Sequence, residues 1–267
     1  MAGKILKLAS SFLALAFTLS ACGSNTDTSI LNIPVEQNNK SVSSFATDLP
    51  NIIDQIKGNT ISQTDWGTHV KMLPNPKQHK KATLLSYLAF DNDKGGYRDE
   101  LKPTINFHEL SGSNTMLNVV LQTDGAEDKD LKRYYITNDH ENGKIVSPYT
   151  QFQYERDSGD YRVLQGFARW GFSAYPSQIK LLDIDNHGGA FMGISKDDTS
   201  SHIISLPGLA KAIKASTGKV DILNMDACLM SSIEVMYELR DVADVMIGSE
   251  DSTLGTGMLY AKALPDI

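Results

Sequence analysis

Two side chains that could do chemistry together, those of His187 and Cys228, each follow a short apolar segment. The first segment covers residues 179–185 and leads into Asn-His-Gly-Gly, and the second covers residues 220–226 and leads into Ala-Cys-Leu-Met. An imidazole can take the proton of a thiol, and the resulting thiolate is a strong nucleophile. A histidine and a cysteine at matching places in a repeated unit therefore predict a Cys/His dyad.

The segment between these two apolar runs has the pattern of a helix. Apolar residues recur at helical spacing from Leu206 onward, Pro207 suits the first turn, and Gly218 suits the stop. A strand–helix–strand unit of this length predicts a right-handed crossover between parallel strands. If the strands are neighbours, roughly 4.8 Å apart, His187 and Cys228 meet at the carboxyl edge, where open α/β sheets place their sites.

The surroundings of Cys228 favour a reactive thiol. A second helical pattern over residues 231–240 predicts a helix whose positive N-terminal end lies near the sulfur and favours the thiolate. The glycine that follows His187 lets the backbone approach a ligand, so the N–H groups of Gly188 and Cys228 are predicted oxyanion donors. Taken singly, a structural histidine and a buried inert cysteine are the commoner interpretations; their occurrence at equivalent strand ends favours a site.

The rest of the chain predicts an α/β fold. Further apolar or helical patterns cover residues 82–90, 115–122, 133–137, 161–170 and 244–248. Strands that are apolar almost throughout and alternate with helices indicate a mainly parallel sheet covered on both faces.

Composition excludes several classes of function. The chain has 267 residues, a net charge of -7 and no block rich in lysine or arginine, which argues against nucleic acid as a partner. A serine esterase that used His187 and its glycines as an oxyanion loop would need a G-x-S-x-G turn, and the sequence has none. A zinc hydrolase of the H-E-x-x-H type is also excluded.

The N-terminal residues indicate that the protein is exported from the cytoplasm. An apolar run over residues 12–19 leads into Leu-Ser-Ala-Cys, which resembles a bacterial lipobox. It predicts that residues 1–21 are a lipoprotein signal peptide and that Cys22 carries the lipid, which would anchor the chain in the cell envelope, facing the periplasm or the exterior. A plain secretory signal remains the alternative.

Residues 22–80 are interpreted as a polar tether and N-terminal extension. With Cys22 lipidated, Cys228 is the lone remaining thiol of an exported protein, which is the situation in which a reactive cysteine is expected.

The motif N-H-G-G over residues 186–189 and the motif D-A-C-L-M over residues 226–230 resemble the clostripain family of cysteine peptidases. The resemblance extends over about residues 81–260. It implies a caspase-like three-layer sandwich over residues 81–267, with Cys228 as nucleophile and His187 as general base and then acid, acting through a thioester acyl-enzyme.

The resemblance also implies residues that contact substrate. Asp226 matches an acidic residue beside the nucleophile, and capping of the strand-to-helix turn is its alternative role. Relatives that prefer arginine or lysine at the cleaved bond carry an acidic residue where this chain has Leu259, and a tryptophan is common where it has Met258. Glu250 or Asp251 could supply the missing carboxylate, or either could be a solvated loop acid.

Calcium dependence occurs among members of this family. The best local candidate combines Asp91, Asp93 and Gly96, but Lys102 stands where an EF-hand needs its bidentate glutamate. The sequence therefore predicts no metal ligands and no cofactor, and it leaves calcium as a possibility that no local motif supports.

Three further expectations concern the whole chain. Some members are activated by a cut between the two motifs, and the polar segment 196–201 suggests a loop with a cut after Lys196. Relatives usually continue past the residue that matches Ile267, so the chain is interpreted as a fragment. A surface lipoprotein that binds peptides or proteins without turnover is the alternative to an endopeptidase, although the intact dyad favours the enzyme.

Overall fold

The sheet that positions the candidate site has eight strands, in the order β1-β5-β4-β3-β2-β6-β9-β10. This computed structural model describes residues 66–92, 97–126, 130–140 and 143–253, and the backbone alone for 97–100. The strands are β1 (Thr68–His69), β2 (Lys80–Ala89), β3 (Leu117–Asp124), β4 (Lys132–Tyr135), β5 (Pro148–Gln151), β6 (Ser177–Asp185), β7 (Ile194–Asp197), β8 (His202–Ile204), β9 (Val220–Asp226) and β10 (Ala243–Gly248). The helices are α1 (Tyr97–Glu109), α2 (Tyr161–Ala174), α3 (Leu206–Thr217) and α4 (Ile233–Leu239), with a 3-10 turn at Ala190–Met192.

The central part of the sheet is parallel and one edge is antiparallel. Strands β3, β2, β6, β9 and β10 all run in the same direction, whereas β4 pairs antiparallel with both β3 and β5. The segment 125–131 between β3 and β4 is shorter than the roughly dozen residues of a parallel crossover, so an antiparallel return is the accessible connection. The predicted mainly parallel α/β sheet is confirmed, with this antiparallel extension added.

Helices cover both faces of the sheet. Apolar side chains of α2, α3 and α4 pack on one face together with Leu85, and those of α1 pack on the other face together with Leu84. Adjacent residues of β2 enter opposite cores because successive side chains of a strand point to opposite faces. The three-layer arrangement is confirmed.

The helix boundaries near the site follow from their caps. The side chain of Ser205 accepts a hydrogen bond from the Gly208 N–H (3.3 Å) at the start of α3. Gly218 ends this helix with a φ of 80°, in the left-handed region that favours glycine. The predicted crossover helix between β6 and β9 is therefore confirmed at both ends.

Helix α1 and segment 196–201 differ from the sequence prediction. Helix α1 was not predicted, since it contains Pro103, a residue that normally ends a helix. Segment 196–201 was predicted as a loop, but Lys196 lies in β7, which pairs antiparallel with β8. The loop prediction is wrong for residues 196–197, because β7 is mostly buried yet carries polar residues, and such a run resembles a loop in sequence.

Several sequence predictions fall on residues outside those described. They are the signal peptide 1–21, Cys22, residues 23–65 of the tether and extension, Asp93, Gly96, Met258 and Leu259. None of the described helices combines the length and the apolar composition that a membrane crossing requires.

Candidate active site

Strands β6 and β9 are neighbours in the sheet and end at the same edge. They pair in parallel from Leu181 and Ile222 to Asp185 and Asp226. The N–H of Asn186 then donates to the carbonyl oxygen of Asp226 at 3.4 Å. The segments that follow β6 and β9 therefore start side by side. His187 and Cys228 each lie two residues beyond this last pair, and both side chains are partly exposed.

The loop that follows His187 rests directly on the turn that contains Cys228. A Cβ atom at Gly188 would overlap the Cys228 carbonyl oxygen and would come within 2.8 Å of Met230 Cγ and 2.9 Å of Ala227 Cβ. Only a residue without a side chain fits between these groups. The close approach of the two backbones thus brings the histidine loop and the cysteine turn to one place.

Two backbone N–H groups at this contact stay out of the local hydrogen-bond ladder. The carbonyl oxygen of His187 accepts from the Ser195 N–H (3.1 Å), and the Gly189 N–H donates to the Gly193 carbonyl oxygen (2.9 Å). Gly188 lies between these two hydrogen bonds and its N–H takes part in neither. No hydrogen bond joins the N–H of Gly188 or of Cys228 to another residue of the described part of the chain. N–H groups without an internal partner are what an oxyanion site requires.

Asn186 holds the histidine loop in place. Its side chain is 2% exposed, and its Nδ2 donates to the carbonyl oxygens of Ala89 and Lys196, the latter at 3.0 Å. Its Oδ1 accepts from the N–H groups of Lys196 (3.1 Å) and His187. One buried amide therefore ties His187 to the ends of β2 and β7. The sequence analysis did not predict this role. An amide residue directly before a histidine at a strand end is the signal that could have indicated it.

The surroundings of the Cys228 sulfur differ from those predicted. Helix α4 begins at Ile233, after a turn in which Leu229 has a φ of 62°, so the sulfur does not lie at a helix N-terminus. The predicted helix start at residue 231 is too early because the chain needs this turn to leave β9. The N–H of Thr253 donates to Cys228 Sγ at 3.4 Å instead, and the Thr253 hydroxyl lies 3.7 Å from the sulfur.

A model of the clostripain family matches residues 86–267. The chain belongs to the clostripain family. Clostripain of Hathewaya histolytica is 26% identical over 251 residues, which cover 79% of this chain and 46% of that relative. The chain is therefore a member of a family of cysteine peptidases, as the two motifs predict.

Solved structures of related proteases have the same fold. A secreted cysteine protease from Bacteroides thetaiotaomicron, solved with an irreversible peptide inhibitor, has a TM-score of 0.59 at 24% identity and covers 69% of this chain and 53% of its own. An inactive zymogen protease from Parabacteroides distasonis has a TM-score of 0.54 at 25% identity, over 71% and 53% of the two chains. These likenesses confirm the caspase-like α/β fold, and the chain spans about half the length of the relatives it matches.

The acidic residues that the clostripain resemblance implies lie close to the cysteine turn. Asp226 is 4% exposed, whereas Glu250 and Asp251 are exposed in the segment after β10. The carbonyl oxygen of Asp251 accepts from the Leu229 N–H at 3.2 Å, so this segment lies against the turn. Glu250 and Asp251 therefore border the same edge of the sheet as Cys228, while Asp226 lies beneath it.

The segment expected to hold a cleavage point is part of β7. Lys196 exchanges hydrogen bonds with Asn186, and its Nζ forms an ion pair with Asp198 at 2.7 Å. A protease can cut after Lys196 only if β7 first leaves β8, because an extended substrate must be free of its own ladder. Processing at this residue stays a prediction.

Proposed function

We propose that this clostripain-family chain is a cysteine endopeptidase with Cys228 as nucleophile and His187 as general base. His187 takes the thiol proton as Cys228 Sγ attacks the carbonyl carbon of a peptide bond. The imidazolium then gives this proton to the leaving amine, which departs and leaves a thioester on Cys228. Water hydrolyses the thioester with His187 again acting as base, which restores the thiol and releases the new carboxylate.

The observation that carries this proposal is the pairing of β6 with β9 up to Asp185 and Asp226. It puts the two loops that bear His187 and Cys228 in contact at one edge, and both side chains are accessible. A buried structural cysteine and a satisfied core histidine would lack this shared exposure.

The proposed oxyanion donors are the N–H groups of Gly188 and Cys228. As Sγ attacks, negative charge develops on the carbonyl oxygen of the substrate, and N–H donors that are already oriented stabilise this charge without reorganisation. The Gly188 backbone is in contact with the Cys228 carbonyl, so one substrate oxygen can reach both N–H groups.

For substrate recognition we propose that Glu250 and Asp251 contact the side chain next to the cleaved bond. Both are exposed beside the cysteine turn and could pair with a basic side chain. Asp226 is buried at the end of β9, so we propose that it orients the turn that contains Cys228 and does not contact the substrate side chain. Cleavage of a peptide library by the wild type, Glu250→Gln and Asp251→Asn tests this: a lost preference for arginine or lysine in either variant supports it, and unchanged profiles contradict it.

The proposed location is the bacterial cell envelope, with the chain anchored through lipid on Cys22. The relative from Bacteroides thetaiotaomicron is a secreted protease, which is consistent with export. Incorporation of labelled palmitate by cells that make the wild type, and not by cells that make Cys22→Ser, would support the anchor. Release of unlabelled wild type into the soluble fraction would support a plain secretory signal instead.

The decisive experiment uses an irreversible thiol-reactive peptide probe on the full chain. We expect the probe to label the wild type and not Cys228→Ala, and His187→Gln to be labelled at least about 100-fold more slowly. Peptide hydrolysis should fall by a factor of roughly 1,000 or more in both variants. Absence of wild-type labelling together with retained peptide binding would overturn the proposal and favour the binding module.

A further inference from the structure

Large apolar side chains are exposed on both sides of the proposed dyad. In the 3-10 turn of the histidine loop, Phe191 is 74% and Met192 is 62% exposed. In α4, which follows the cysteine turn, Ile233 is 76% and Tyr237 is 64% exposed. A single exposed apolar side chain is ordinary in a folded protein, whereas a group of neighbouring ones marks a binding surface.

The 3-10 turn and α4 are neighbours, so their exposed side chains belong to one surface. Cα atoms of the turn lie within 8 Å of Cα atoms of α4. Ile233 and Tyr237 are four residues apart and therefore share one face of the helix. The guanidinium group of Arg240 packs on the Tyr237 ring, 4.0 Å from its centre, and so orients the ring. The apolar surface is defined here by the side chains of Phe191, Met192, Ile233 and Tyr237.

The apolar surface is continuous with the proposed active site. A Cβ atom at Gly189 would lie 2.9 Å from Met192 Cε, so the methionine side chain folds back over the backbone next to Gly188. On the other side, Leu229 directly follows Cys228 and is 42% exposed. A peptide that binds across the dyad toward the 3-10 turn therefore reaches this surface.

The 3-10 turn presents two of these side chains to solvent in a backbone conformation that costs free energy. Ala190 has a φ of 52°, in the left-handed region that a residue with a side chain rarely adopts. The N–H of Gly193 donates to the Ala190 carbonyl oxygen at 3.2 Å and closes the turn. Backbone conformations of this kind cluster at sites that hold ligands. A strained turn that exposes Phe191 and Met192 is therefore consistent with a binding role.

We propose that the apolar surface binds the substrate residue that follows the cleaved bond, and that it favours a large apolar side chain there. This inference rests on the proposed peptidase function. In that mechanism His187 gives a proton to the departing amine, so the departing part of the substrate lies on the His187 side of Cys228, where the 3-10 turn is. An apolar side chain that leaves water for this surface gains free energy, and a polar side chain of the same size does not.

The size of the apolar surface suits a short piece of peptide. A stable interface between two folded proteins involves roughly 20–30 residues on each side, whereas the apolar surface consists of four side chains. Two aromatic rings and two aliphatic side chains are enough to cover one or two residues of an extended substrate. The occupant that fits is therefore a segment of the substrate and not a second folded protein.

The test compares two peptides that differ only in the residue after the cleaved bond, which is leucine in one and asparagine in the other. These two side chains have nearly the same size, and the sequence before the bond is the one that the wild type cleaves best. We expect the wild-type kcat/KM to be at least about 10-fold higher for the leucine peptide. This ratio should fall to about 2 or less in Phe191→Ser and in Met192→Ser. A variant that disturbs the dyad lowers both rates alike, so the ratio reports recognition alone.

The matched control is Met116→Ser. Met116 is 46% exposed and directly precedes β3, at the opposite edge of the sheet from the dyad. This variant should keep the wild-type ratio. A wild-type ratio in both Phe191→Ser and Met192→Ser, or an equal fall in Met116→Ser, would overturn the inference.

A peptidyl chloromethyl ketone, which carries no residue after its reacting carbon, separates this inference from the peptidase proposal. If the reagent labels wild-type Cys228 but the two peptides are cleaved at equal rates, the apolar surface is not a substrate site and the peptidase proposal stands. If the wild type is not labelled, both proposals fail. A dimer that Phe191→Ser dissociates in analytical ultracentrifugation, without a change in the ratio, would assign the surface to a second copy of the chain and overturn the inference as well.

Discussion

Gly188 and the carbonyl group of Cys228 lie in direct backbone contact at the carboxyl edge of the sheet. This contact joins two loops that are separated along the chain by the β7–β8 hairpin, α3 and β9. It depends on the absence of a side chain at position 188, because a Cβ atom there would overlap the Cys228 carbonyl oxygen.

Replacing this glycine should therefore damage activity more than stability. We expect Gly188→Ala to push the two loops apart and to lower kcat/KM by about 100-fold or more, since an error of about 1 Å in position costs that much. The matched control is Gly166→Ala in α2, where a Cβ atom meets nothing within 4 Å. The control should keep full activity and gain roughly 0.5–1 kcal/mol of unfolding free energy. Wild-type kcat/KM in Gly188→Ala would contradict the importance of this contact.

The N–H of Thr253 donates a hydrogen bond to Cys228 Sγ at 3.4 Å. A hydrogen bond to sulfur stabilises the thiolate. We expect Thr253→Pro, which lacks this N–H, to react with iodoacetamide at neutral pH about 10-fold more slowly. Thr253→Val keeps the N–H and loses only the hydroxyl, which lies farther from the sulfur at 3.7 Å, so it should slow the reaction less than Thr253→Pro does. Equal rates for the proline variant and the wild type would show that the N–H has no such role.

Loss of the hydrogen bonds that the Asn186 side chain donates is expected to lower both the stability and the activity of the protein. Asn186→Asp keeps the shape but cannot donate, so it leaves two buried carbonyl oxygens facing a carboxylate. We expect a loss of about 2–4 kcal/mol in urea unfolding and a fall in kcat/KM at temperatures where the variant is folded. Asn138 also donates to two carbonyl oxygens but is exposed, so Asn138→Asp should lose less than about 1 kcal/mol. Equal losses of unfolding free energy in the two variants would argue against a special role for the Asn186 hydrogen bonds.

Burial of His108 in α1 predicts a dependence of stability on pH. Burial lowers the pKa of His108 from 6.5 to about 4, and its Nδ1 lies 2.8 Å from the Thr104 carbonyl oxygen. Since the folded pKa is below the unfolded one, the neutral form stabilises the fold fully above about pH 6.5, and this contribution is lost progressively as the pH falls from about 6.5 to about 4. Between pH 7.5 and pH 5 the loss amounts to about 2 kcal/mol.

His108→Gln cannot titrate and should lack this part of the pH dependence. The measurement is the free energy of unfolding in urea at pH 7.5, 6 and 5 for the wild type, His108→Gln and His79→Gln. His79 is exposed, so the last variant controls for the loss of a histidine. Parallel pH curves for the wild type and His108→Gln would rule out the buried histidine as the cause.

The sequence by itself predicted the two strands that lead into His187 and Cys228 and the helix between them. Apolar runs over 179–185 and 220–226, with a capped helix between them, favour an arrangement as parallel neighbours, so the placement of the loops that carry His187 and Cys228 at one edge follows from chain connectivity. The match to the clostripain family rests on the residues directly after those runs. These features are local in sequence, which is why patterns of residue type and spacing were sufficient to predict them.

Tertiary structure alone decided which groups surround the proposed dyad. The Thr253 N–H reaches the sulfur across a turn, Asn186 bonds to a strand almost a hundred residues earlier, and the ends of three strands bring Asp91, Asp124 and Asp197 together. Such contacts depend on register and on the path of each turn after its strand. A carboxylate in a sequence looks the same whether it ends on the surface or in a buried cluster, and only the fold distinguishes the two.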